Sequence, residues 1–190
     1  MIENEEDKIL FSDAIKKAFQ EVMGSEESVR YGILLNRSDL IGRGAEEIVF
    51  MKQFLTDNFG AEEAEGLAVC IGKNSYIFIK NQFGKTLKFR DAEFRFLPTQ
   101  KRIKSALEEL RSVVLNPLGL QLDCYELNDK FVWNLHSECM VEKSPAYFIS
   151  GILQEMLTDI SGGRFFPISV TPCEEAQKTE IVIAKKALSH

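Results

Sequence analysis

Between Leu120 and Lys186 the period of the hydrophobic pattern changes twice, and few folds accept that order. In "LQLDCYEL" and "KFVWNLHSEC" apolar and polar residues alternate, as in strands with one buried face. Asn128-Asp129 between them is turn chemistry, so the two segments read as an antiparallel hairpin. A helix follows, with Ser144 as N-cap, Pro145 at the first helical position, and Ile149, Ile152, Leu153, Met156 and Ile160 on one face. Gly162-Gly163 stops it. "RFFPISVT" and "EIVIAKK" then return to alternation, and Pro167 suits an edge strand or a bulge.

Upstream, Leu10, Phe11, Ala14, Ile15, Ala18, Phe19 and Val22 predict an amphipathic helix from Asp7 to Met23. "YGILLNR" reads as a bridge into a second helix that starts near Ser38 or Asp39 and ends at Gly60. "GLAVCIGKNSYIFIK" reads as two strands around a Gly-Lys-Asn-Ser turn, and "KTLKFRDAEFRFL" as a further alternating segment. A third helix is expected from Gln100 to Val114, broken by "NPLG". Helices and strands come in blocks, which predicts an α+β class: an antiparallel sheet with helices packed on one side. At 190 residues and 45% hydrophobic content the chain suits a single domain over 1–190, with N-terminal helices in 1–60 and the sheet with two further helices in 66–190.

The net charge of -6 is unevenly placed: from Lys80 to Lys104 eight basic residues face two acids. Lys88, Arg90 and Arg95 in this segment are candidates for meeting a partner or an anionic membrane surface. Phe83, Phe89, Phe94 and Phe96 interleave with the cations, but alternation assigns them to the core, and the overall acidity argues against nucleic acid. The acidic start and the lack of a long apolar run predict a cytoplasmic chain, at most peripheral to a membrane. Cys70, Cys124, Cys139 and Cys173 lie far apart, as reduced and buried small hydrophobes would.

His136 is the one internal histidine. Strand parity puts Phe131, Trp133, Leu135, Ser137 and Cys139 on one face and Val132, Asn134, His136 and Glu138 on the other, so His136 and Cys139 do not share a metal. No metal site is expected, since zinc needs three or four convergent ligands. A single axial bond from His136 to a tetrapyrrole needs only one imidazole and stays open. "GRGAEE" at Gly42 lacks the glycines and the lysine of a phosphate loop, and is read as close packing inside a helix. No nucleophile constellation is present, so an enzyme is not expected.

The segment "SECMVEKSPAYFISGILQEMLTDISGGRFFPISVTPCEEAQKTEIVI" resembles the end of the 4-vinyl-reductase-type domain, through Cys139, Ser150-Gly151, Gly162-Gly163, Cys173 and Glu180 to Ile183, within residues 133–183. That resemblance implies a fold shared with the small TRAPP-type tethering subunits, and a homodimer. It connects the chain with chlorophyll metabolism, effector sensing and vesicle tethering. The zinc of the effector-sensing branch would fall on Ala146, Val170, Cys173 and Ile181, of which only the cysteine is a ligand, so zinc is not expected. The reading that follows is a non-catalytic carrier of a tetrapyrrole of the chlorophyll type, or of another apolar ligand, serving the assembly of a photosynthetic complex. Trp133, Phe148, Ile149, Ile152 and Met156 would wall its pocket, with His136 as axial or hydrogen-bonding group, although plain core packing explains the apolar five as well. The rival is a ligand-free dimeric scaffold of the vesicle-tethering type.

Overall fold

In the computed structural model of the chain, residues 5–83, 87, 91–136, 144–173 and 178–188 are described. Four helices come first: α1 (Glu5–Met23), α2 (Ser25–Arg37), α3 (Ala45–Phe59) and α4 (Ala61–Phe83). The short α5 (Ala92–Phe96) leads into α6 (Thr99–Glu109), whose last turns widen into a π-helical segment, Leu110–Leu115. Strands β1 (Gln121–Glu126) and β2 (Lys130–His136), helix α7 (Ala146–Ser161), and strands β3 (Ile168–Cys173) and β4 (Lys178–Ala184) complete the order.

The class is α+β, with one antiparallel sheet in the order β1-β2-β4-β3. The register pairs Trp133 with Cys124 on one side and Ile181 on the other. Phe131, Trp133, Leu135, Ile181 and Ile183 join the hydrophobic core; on the other face Asp123, Tyr125 and His136 are exposed but Val132 and Asn134 are buried, so β2 is covered on both faces along most of its length and parity alone does not expose that side. The strand that follows Pro167 lies at the edge, where a missing N–H is harmless.

The C-terminal helix is built largely as its residues dictate. Ser144 Oγ accepts from the Ala146 N–H at 3.4 Å, and Gly162, in the left-handed region at φ 76°, ends the helix.

The N-terminal half departs from the sequence reading. "YGILLNR" belongs to α2, where Tyr31 and Leu35 are buried and the Tyr31 ring stacks on Phe19 and meets Phe54 edge-on. "GLAVCIGKNSYIFIK" lies within α4: the buried residues Ala64, Ala68, Ile71, Gly72, Ser75, Tyr76, Ile79 and Phe83 form one helical stripe. "GRGAEE" opens α3 instead of lying inside a helix. Close packing there is observed, since a Cβ on Gly44 would lie 2.5 Å from the Leu118 carbonyl oxygen. In "KTLKFRDAEFRFL", residues from Ala92 form helix, not strand, while Lys88 and Arg90 lie outside the described residues.

Helix α4 packs against α1, α3 and α7. Its crossing with α7 is very close: a Cβ on Gly72 would lie 2.1 Å from the Phe148 carbonyl oxygen, and one on Gly151 2.1 Å from that of Val69. The two backbones therefore touch.

Candidate ligand site

The residues that the sequence nominated for an apolar pocket all lie in the core. Trp133, Phe148, Ile149, Ile152 and Met156 are at most 2% exposed and share one hydrophobic cluster with the helices. Since Gly72 and Gly151 bring α4 and α7 into backbone contact, no cleft separates α7 from α4 at this level. Trp133 also floors a cleft of about 190 Å³ with Leu107, Arg111, Cys124 and Phe131. Lys104 and Lys185 hold Glu126 at its mouth, at 2.8 and 2.7 Å, and their hydrogen bonds bring that carboxyl down to about 2.

His136 stands at the end of β2 on the face opposite Trp133, exposed although Val132 and Asn134 on that face are buried, its Nε2 2.7 Å from Asp123 Oδ2. Glu138 and Cys139 lie outside the described residues. The other cysteines are less buried than expected: Cys70 is exposed, and Cys124 and Cys173 are half-buried. Burial pushes the Cys124 thiol up to about 11, against the pull of Arg111, so it is protonated at neutral pH and a poor metal ligand. Among the described residues no cluster of histidine, cysteine and carboxylate side chains can hold a metal ion. Nor is any of their helices long and apolar enough to cross a membrane.

A larger cleft, about 680 Å³, opens where α4, α5, α6 and α7 converge. Lys80, Phe94, Arg95, Arg102, Asp159 and Ile160 line it. Asp159 sits in the last turns of α7, receives Lys80 Nζ at 2.7 Å, and accepts the Tyr76 hydroxyl at 2.9 Å. Burial, then the charge of Asp159, drives the Tyr76 phenol well above its ordinary value, so it stays a donor. Arg102 reaches Thr99 Oγ1 at 3.4 Å, and its Nε is buried without an acceptor. Of these six residues the sequence offers Arg95 as a site candidate, Lys80 and Arg102 only as members of the basic run, and Phe94 and Ile160 as core residues; their convergence depends on α4 being a helix.

The fold has known counterparts. It superposes on an unliganded Fe(II) H-NOX (heme-nitric oxide/oxygen binding) protein from K. algicida with a TM-score of 0.61 and 12% identity, over 96% of this chain and 97% of that one. An Fe(II) H-NOX variant from S. oneidensis gives a TM-score of 0.59 and 11% identity, over 96% of each chain. The H-NOX domain of Shewanella oneidensis in its Fe(II)CO state gives 0.56 and 10%, over 92% of this chain and 96% of that one. No family model matches the sequence, and no curated protein does.

These likenesses correct the resemblance drawn from residues 133–183: the counterparts are H-NOX proteins, and neither 4-vinyl-reductase-type nor TRAPP-type domains. The quoted features have a local cause. Gly151 answers to the Val69 carbonyl and Gly162 to the end of α7, demands that any closely packed helix between two hairpins makes. The chlorophyll carrier, the photosynthetic assembly factor and the tethering scaffold fall with that resemblance. The expectation of a tetrapyrrole agrees in kind with the heme of the H-NOX counterparts.

Whether the residues present fit such a group is a question of ligand and space. The described histidine is exposed and engaged by Asp123 at the sheet, away from any of the clefts above. The large cleft is lined by no histidine, cysteine or methionine, and Met51 and Met156 are packed in the core. The described residues do not fit a heme held by histidine.

Proposed function

We propose that this chain is a ligand-sensing domain on the H-NOX fold whose input is not a histidine-held heme. The observation that carries this reading is that His136 is exposed and paired with Asp123 while the α4–α7 contact at Gly72 and Gly151 leaves no cleft between those helices, in a chain whose fold superposes on H-NOX proteins over nearly its whole length. It keeps the core closed where Phe148, Ile149 and Ile152 pack. Heme-based gas sensing is the second reading, favoured by the Fe(II), NO-bound and CO-bound counterparts. It requires an iron ligand that His136, exposed and paired with Asp123, does not offer in this arrangement.

Titration of the reduced, purified protein with hemin tests the choice. The expected outcome is no saturable Soret band and no stoichiometric quenching of Trp133, the only tryptophan. A one-to-one Soret band that shifts on addition of nitric oxide would establish the second reading. If that band moved in His136→Ala, the ligand would be identified as well.

A further inference from the structure

We infer that the cleft between α4, α5, α6 and α7 is the sensing site, and that it takes a small organic anion: a carboxylate or phosphate on an apolar body. The inference rests on the sensor reading and names its ligand class. Its volume, about 680 Å³, falls in the range of small-molecule sites. Three cations converge on it against one carboxylate, and that carboxylate is already engaged. Asp159 holds Lys80 at 2.7 Å and the Tyr76 hydroxyl at 2.9 Å, so its charge is spent within the wall.

Arg95 and Arg102 have no carboxylate partner among the described residues. Arg102 also carries a buried Nε without an acceptor, a state that is unfavourable unless a counter-charge arrives. A guanidinium favours planar carboxylate or phosphate oxygens, which accept two parallel N–H bonds. Phe94, 8% exposed, and Ile160, 7% exposed, supply apolar wall beside these donors. A bare inorganic ion would leave that wall unused; an anion with an aromatic or aliphatic body uses both halves of the site.

The test is a nitrogen–proton NMR titration of the full chain with phenyl phosphate, with benzoate, and with phenol as the uncharged control. Saturable shifts of the Gly162 amide and of the Arg95 and Arg102 side-chain N–H signals are expected with at least one of the anions, and none with phenol. Phenyl phosphate acting alone would assign a phosphate site, and benzoate acting alone a carboxylate site. Arg95→Gln and Arg102→Gln should each weaken binding about tenfold or more, the loss of one charge-assisted hydrogen bond. Should Arg102→Gln fail to fold, the exposed Arg95 carries the comparison alone. No shift up to about 10 mM of either anion, equal shifts with phenol, or undiminished affinity in Arg95→Gln would overturn the inference. A Soret band in the hemin titration overturns the sensor reading instead, so the two failures are distinguishable.

Discussion

Glu47 is a carboxylate that folding removes from water. It is fully buried at the start of α3, where Oε1 accepts from Ser12 Oγ at 2.8 Å and Oε2 from the Gly42 N–H at 3.2 Å. Burial raises its pKa; those two hydrogen bonds and the charge of Lys16 pull the other way without cancelling it. A carboxyl whose pKa is higher folded than unfolded binds its proton more tightly in the native state. Its contribution to stability is therefore full below the ordinary carboxylate value and is lost as pH rises through the folded one. Glu47→Gln keeps an oxygen for Gly42 and offers an N–H to Ser12, so its melting temperature should fall less than the parent's as pH rises above the ordinary carboxylate value. Identical pH slopes in the two proteins would refute the assignment. Nothing in "GRGAEE" tells which of Glu46 and Glu47 turns inward. The choice is made by Ser12, thirty-five residues away in α1, and is invisible to local pattern.

Helix α4 shows where local reading fails. Its second half is rich in isoleucine, tyrosine and phenylalanine around Gly-Lys-Asn-Ser, which fits two strands and a turn by composition. The helical stripe is present in the same residues, but its first half, Ala64 and Ala68, and its centre, Gly72 and Ser75, are small, while Ile71, Tyr76, Ile79 and Phe83 also fit the strand composition, so the stripe does not stand out by hydrophobicity. Those small residues are what let another helix approach. The hairpins and α7, by contrast, were legible because alternation, turn chemistry and caps all agree there.

The crossing gives a graded prediction. Gly72→Ala and Gly151→Ala each drive a Cβ into the facing carbonyl oxygen, and should destabilise the protein by about 1–3 kcal/mol or more. Gly66→Ala, on the same helix with nothing near its Cβ, should stabilise it by about 0.5–1 kcal/mol. Denaturant unfolding of the three variants checks this. Equal effects at Gly66 and Gly72 would mean that α4 and α7 do not touch.

For the whole molecule, the likeness to H-NOX proteins was not legible because at 12% identity it resides in the arrangement of elements and not in motifs. That arrangement is built around α4, which packs against α1, α3 and α7, so a reading that broke this helix could not reach the fold. The same arrangement sets a hierarchy of stability. Helices α4 and α7 meet backbone to backbone in the centre and bury Ile71, Gly72, Phe148, Ile152 and Met156, whereas α5 has five residues and leaves Phe96 88% exposed. Amides that open only on global unfolding should therefore cluster in α4 and α7, and those of α5 should exchange through local opening. The large cleft lies between these two regimes, with Lys80 and Asp159 on the firm side and Phe94 and Arg95 on the loose one. A ligand bridging them would slow exchange in α5, and by the same factor in the centres of α4 and α7, because every opening that releases the ligand, global unfolding included, is opposed by the binding free energy. Hydrogen exchange followed by mass spectrometry, with and without phenyl phosphate, reads both parts. Protection of α5 equal to that of α4 in the free protein would remove the hierarchy, and with it the reason to expect α5 to report on the cleft.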